Sequence, residues 1–126
     1  MGFTKIFAKT IFKPGTLHVG LGPLRSQAAL SFASGTLTLD ASTADQFVVS
    51  LGANVGTLAI TNGTVGQEIT IQFKQDATGS RTMTWPSNVK LAGAAFVLTT
   101  TASKTDTIVL LFDGTNWREK SRSLSS

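Results

Sequence analysis

The clearest alternation of apolar and polar positions lies over residues 68–85. Ile69, Ile71 and Phe73 alternate with Glu68, Thr70, Gln72 and Lys74, so a period of two sets three apolar side chains on one face and polar ones on the other. This predicts a half-buried strand. Asp76-Ala77-Thr78-Gly79-Ser80 supplies a side chain able to bond its own backbone and a glycine that tolerates positive φ, after which Met83 and Trp85 alternate with Thr82 and Thr84. Pro86 cannot donate to a ladder and ends the second run. The stretch predicts a β-hairpin.

Short runs of the same kind continue from Gly35 to the C-terminus. Residues 36–39, 46–51, 57–61, 68–74, 81–85, 95–100, 106–112 and 117–122 are strand candidates separated by Gly, Asn, Asp and Ser. Strands at roughly 8–12-residue spacing imply a sandwich or barrel. The expected fold is all-β: a small antiparallel sandwich or barrel-like domain over 35–126, preceded by an extended N-terminal arm and linker over 1–34. The run 108–112 is apolar on both faces, with Ile108, Leu110 and Phe112 on one and Val109 and Leu111 on the other. Such a strand is expected to be buried on both sides, which in a small domain calls for cover from the N-terminal segment or a second subunit. Ile108, Val109, Leu110, Leu111, Phe112 and Trp117 are the candidate subunit interface.

The period of residues 3–13 is ambiguous. As a helix, Phe3, Ile6, Phe7 and Ile11 share a face beside Lys5, Lys9 and Lys13; as a strand, the same residues alternate. Pro14-Gly15 suits the centre of a type II turn and favours an extended arm turning back into 16–19. Phe3, Phe7 and Phe12 exposed together would invite aggregation, so their own domain or a partner should cover them. Gly20-Leu21-Gly22-Pro23 is no phosphate loop, because Pro23 removes a backbone donor and no strand-to-helix unit follows. Over 25–33, Leu24, Ala28, Ala29 and Phe32 suggest a short helical turn.

Composition narrows the functional classes. The chain has 126 residues, no cysteine and a net charge of +4. Its mean hydropathy is +0.17. A domain of this size buries only about two-thirds of its unfolded surface, which again favours partners. Its longest apolar run has five residues, far short of the ~20 of a membrane span. No membrane span, secretory signal or myristoylation pattern is expected. Charge is segregated: residues 1–35 carry +4, residues 36–116 carry −2 and residues 117–126 carry +2. The basic ends suit acidic surfaces or phosphates. Four cations over 35 residues without a recognised module make a weak nucleic-acid footprint, so no nucleic acid is expected.

Candidate chemistry is sparse. His18 is the only histidine and has no cysteines to join it in a metal site. No nucleophile elbow occurs, and the seven acids are dispersed among turn residues rather than paired for glycoside cleavage. Neither an enzyme nor a cofactor is expected. Asn62-Gly63 reads as a hairpin turn, and Asp113-Gly114-Thr115-Asn116 as a turn too short of ligands for calcium. Trp85 and Trp117 could form a sugar-stacking platform, but are expected in the core or an interface.

Two motifs carry a resemblance. QDATGSRTMTWPS, residues 75–87, followed by TDTIVLLFDGTNW, residues 105–117, resembles a β-domain of tailed-bacteriophage virion proteins found in tail fibres and small head or tail proteins. The resemblance covers roughly 57–123 and implies a homotrimer. The expected function is structural: a capsid decoration, or cement, protein on the capsid surface of the virion. In that reading Phe3, Ile6, Phe7, Ile11 and Phe12, with Lys5, Lys9, Lys13 and Arg25 around them, clamp neighbouring subunits of the major capsid protein. The alternative is a tail-fibre or baseplate component, a binding module that contacts host-surface glycans.

Overall fold

Alternating apolar residues become strands along most of the stretch that predicts them. The computed structural model describes residues 27–126, in which every helical or extended element is a strand. These are β1 Gln27–Phe32, β2 Thr36–Asp40, β3 Gln46–Leu51, β4 Thr57–Thr61, β5 Glu68–Gln75, β6 Val89–Lys90, β7 Thr105–Phe112 and β8 Trp117–Ser123. The arm residues Phe3, Lys5, Ile6, Phe7, Lys9, Ile11, Phe12, Lys13 and Arg25, and His18, lie outside the described residues.

Six strands form one sheet in the order β1-β3-β5-β7-β8-β6, and β2 and β4 form a second. The pairings β1/β3, β3/β5, β2/β4 and β6/β8 are parallel. Only β5/β7 and β7/β8 are antiparallel. Parallel neighbours cannot be joined by a tight turn; the chain must cross over and return. Here β2 is the crossover from β1 to β3, and β4 the crossover from β3 to β5. The chain therefore winds as two stacked coils, and the antiparallel strands β7 and β8 complete the larger sheet. The fold is all-β as expected, but its framework is this parallel stack rather than an antiparallel sandwich.

One apolar cluster joins the two sheets. Phe47, Val49 and Leu51 of β3, Ile69, Ile71 and Phe73 of β5, and Ile108 and Leu110 of β7 are buried together with Leu37, Leu39, Leu58 and Ile60 of the small sheet. Full burial of each such side chain contributes about 1.5–3 kcal/mol. The corners of the coils stack closely: the Gly52 N–H donates to the Phe32 carbonyl at 2.8 Å. A Cβ at Gly52 would sit 2.9 Å from that oxygen, closer than carbon and oxygen tolerate.

Four expectations are corrected. The hairpin over 68–85 does not form, because both edges of β5 are already occupied by β3 and β7. The second run instead meets the neighbouring coil, where Met83 bridges Val55 in parallel. The buried Gln75 side chain takes the place of a strand partner: Nε2 donates to the carbonyls of Arg81 and Thr99, each at 2.8 Å, and Oε1 accepts the Arg81 N–H at 3.0 Å. The helical turn over 25–33 is overturned by β1, whose residues pair one for one with β3. The sharp Asn62 turn, with φ of 58°, links β4 of the small sheet to β5 of the large one and makes no hairpin. Finally, the strand expected over 95–100 does not form. On β7 the described residues cover one face, and the cover expected for the other, from the N-terminal segment or a second subunit, lies outside them. Ile108 and Leu110 are buried in the protomer's own core and Leu111 is exposed; Val109 and Phe112 are half-buried.

Candidate functional site

Winding in coils places the loop after β2 beside the loop after β4, at the same end of the stack. Each loop is built by short polar side chains bonding their own backbone. At the end of β2, Asp40 Oδ1 accepts the Ser42 N–H at 3.0 Å and the Ser42 hydroxyl at 2.6 Å, while the Thr43 hydroxyl donates to the Asp40 carbonyl at 2.7 Å. Asn62, twenty-two residues on, donates from Nδ2 to the same Asp40 oxygen at 3.0 Å. These bonds hold the Asp40 carboxyl below its ordinary value, the Ser42 hydroxyl contributing most.

Gln67 ties the two loops into one surface. Its Nε2 donates to the Ala41 carbonyl at 2.7 Å and to Asp45 Oδ1 at 3.1 Å, and its Oε1 accepts the Thr64 N–H at 3.0 Å. Between the loops lies an open hollow of about 370 Å³, lined by Ala41, Ser42, Thr43, Ala44, Asp45, Thr64 and Gln67. Ala41 and Ala44 are buried, whereas Ser42, Thr43 and Thr64 are exposed. Small side chains beneath and hydroxyl, carboxylate and amide groups around make a surface able to exchange hydrogen bonds with a hydroxyl-rich ligand.

The hollow rests on aromatic packing. Phe112 and Trp117 stack at 4.6 Å between ring centroids, and Gly63 passes directly over them. Backbone bonds from Gly66 to Phe112 at 2.8 Å and from Phe112 to Gln67 at 2.9 Å fasten the loop to the end of β7. The next turn is also rigid. Asp113 accepts the backbone N–H groups of Asn116 and Thr115 and the Arg118 guanidinium, which together bring its carboxyl down to about 2. Asp40 and Asp113 are therefore ionised at neutral pH. Among the described residues no group of three or more His, Cys, Asp or Glu is placed to hold a metal.

The structure disperses the residues that the sequence singles out. Trp117 is buried against Phe112, and with Ile108 and Leu110 it belongs to the core of the described residues. Trp85 is half-buried, edge-on to Phe73 and Phe96 at 5.8 and 5.2 Å, with its Nε1 donating to the Phe96 carbonyl at 2.8 Å. The two tryptophans form no exposed platform together. In the sequence, the residues of the hollow look like two ordinary turns. The available signal was the recurrence of Gly-Thr-Leu at 35–37 and 56–58, which marks the two loops as equivalent parts of successive coils.

Residues 33–117 match a family model described as "Putative phage tail fibre C-terminal domain". The match spans more than half of the chain and includes both loops of the hollow and the motif at 105–117. Comparison with curated proteins and with solved structures gives no match.

Proposed function

The chain belongs to the phage tail fibre C-terminal domain family and so to the structural proteins of the bacteriophage virion; on that premise we propose that it is a fibre-end binding module contacting host-surface glycans through the hollow at 41–45, 64 and 67. The observation that carries this reading is the joining of two loops, distant in sequence, into one polar surface by Gln67. Saccharides offer many hydroxyls and little charge, and the hollow offers the complementary mixture of donors and acceptors on a stiff base. Preorganisation of this kind lowers the entropic cost of binding.

The capsid-decoration expectation is not carried forward, because the family favours the tail and the proposed clamp lies on residues outside the described part. Homotrimer formation belongs to the proposal. Leu111 and Val109 on the outer face of β7 supply apolar contact for it, and three linked copies of a weak site raise avidity by about 10²–10⁴. The test compares the unaltered protein with Asp45→Asn and Thr64→Val for binding to immobilised host cell-surface polysaccharide and for inhibition of phage adsorption. Each variant is expected to weaken binding about tenfold, the loss of one hydrogen bond of about 1–1.5 kcal/mol, with an unchanged circular dichroism spectrum. Full binding by both folded variants overturns the assignment.

A further inference from the structure

The bonds that build the hollow decide what its surface has left to offer. A donor that already serves the protein is withdrawn from a ligand, whereas a hydroxyl oxygen whose proton is committed keeps lone pairs that still accept. Along the first loop the Ala41 N–H donates to the Thr61 carbonyl at 2.8 Å, the Ser42 N–H to Asp40 Oδ1 at 3.0 Å and the Thr43 N–H to the Asp40 carbonyl at 3.0 Å. The two hydroxyls go the same way: Ser42 gives its proton to Asp40 Oδ1 at 2.6 Å, and Thr43 gives its own to the Asp40 carbonyl at 2.7 Å. Neither direction can reverse, because a carbonyl and an ionised carboxylate only accept.

The second loop is spent likewise. The Thr64 N–H donates to Gln67 Oε1 at 3.0 Å and the Gln67 N–H to the Thr64 carbonyl at 2.8 Å. Both protons of the Gln67 amide are used, one on the Ala41 carbonyl at 2.7 Å and one on Asp45 Oδ1 at 3.1 Å. What these groups retain for a ligand are acceptors: the Ser42 and Thr43 hydroxyl oxygens and the Asp45 carboxylate, all of which line the hollow. A carboxylate has about four lone-pair sites, and Gln67 takes one of them.

Charge has the same sign as the hydrogen-bond polarity. The Asp40 carboxyl, held below its ordinary value by the Ser42 hydroxyl, then Asn62 and the Ser42 N–H, is an anion bonded to the wall of the hollow. Arg118 and Lys120 of β8 hold other carboxylates, Asp113 at 2.7 Å and Glu68 at 3.0 Å.

We infer that the hollow is an acceptor surface that selects saccharides by the donors they present: it takes neutral hydroxyl-bearing sugars, prefers an amino sugar whose ammonium group reaches Asp45, and rejects acidic sugars such as uronates. The inference rests on the glycan-binding reading above and adds the chemical class of the glycan. An ammonium group bonds a carboxylate roughly twice as strongly as a neutral donor bonds a neutral acceptor. A sugar carboxylate brings acceptors to acceptors and a like charge, with no proton to share between them.

The test uses the full chain and the host cell-surface polysaccharide in three forms: unaltered, with its primary hydroxyls oxidised to carboxylates, and with the same positions converted to amines. In biolayer interferometry at about 0.1 M salt, the amine form is expected to bind about tenfold more tightly than the unaltered form and the carboxylate form about tenfold more weakly. This spread of about a hundredfold should narrow at about 1 M salt, where the screening length falls from about 10 to about 3 Å. Asp45→Asn keeps an oxygen for the Gln67 amide and removes the charge, so the spread in that variant should fall below about tenfold. Equal or tighter binding of the carboxylate form, or a spread that Asp45→Asn leaves intact, overturns the inference. In that event a Thr64→Val protein that binds all three forms more weakly keeps the hollow as the site. A Thr64→Val protein that binds like the unaltered chain, or an unaltered chain that binds none of the forms, removes the glycan reading itself and this inference with it.

Discussion

Replacing Gly63 by alanine tests whether aromatic packing positions the candidate binding loop. A Cβ at this position would lie 2.5 Å from Trp117 Cζ2 and 3.0 Å from Phe112 Cδ2. Carbon atoms in contact sit about 3.5–4.0 Å apart, so the methyl group intrudes by about 1 Å. Neither ring has an easy escape. Trp117 is buried, its backbone N–H bonds the Asn88 carbonyl at 2.8 Å, and its indole is stacked on Phe112. Overpacking a fixed core costs about 1–3 kcal/mol, which for a body of about 100 residues lowers Tm by roughly 10 °C. The assay is urea and thermal unfolding followed by tryptophan fluorescence, combined with a double-mutant cycle. Trp117→Phe removes the atom that the methyl strikes, so Gly63→Ala should cost at least about 1 kcal/mol less in that background than alone. Amide exchange at Thr64 should rise in Gly63→Ala, because the loop holding its bond to Gln67 is displaced. A Gly63→Ala protein within about 0.5 kcal/mol of the original, or strictly additive costs, would refute the packing argument.

Two further outcomes follow from side chains that act as local structure. Gln75→Leu keeps the volume but removes three hydrogen bonds to the backbone of Arg81 and Thr99, so chemical unfolding should show a loss of about 2–4 kcal/mol; a loss below about 0.5 kcal/mol would mean that the 76–81 loop is held by other contacts. Asp113 has a folded value of about 2 against an ordinary 3.8, so its contribution to stability is complete above about pH 4 and disappears as pH falls toward 2. Unfolding measured between pH 5 and 2 should therefore show a shallower acid loss in Asp113→Asn than in the unaltered chain, and identical slopes would contradict the assigned hydrogen bonds.

Much of the secondary structure is local chemistry. The strands at 46–51 and 57–61 are found at the predicted residues, because alternating β-branched and aromatic side chains between turn formers suit no other conformation. Turn residues were equally readable: Asp40, Asn62, Asp76 and Asp113 each accept or sit at a tight bend of the kind their short side chains favour. What alternation cannot encode is which strand is a neighbour. Residues 81–85 have the same pattern as a hairpin partner, yet the edges of β5 are filled by strands that begin more than twenty residues before and after it.

The amino-acid sequence alone therefore settles the all-β class, the inward face of strands that alternate cleanly, such as 46–51 and 68–74, and many of the places where the chain bends, since these depend on side-chain period and on backbone preference within a few residues. Only the tertiary structure decides that the strands stack as parallel coils, that β7 buries Ile108 and Leu110 while leaving Leu111 exposed, and that Thr64 and Gln67 meet Ala41 to Asp45 in one hollow. Those are pairings between distant residues. They are selected by which apolar faces and backbone edges can be covered at the same time, a condition that no single segment of the chain contains.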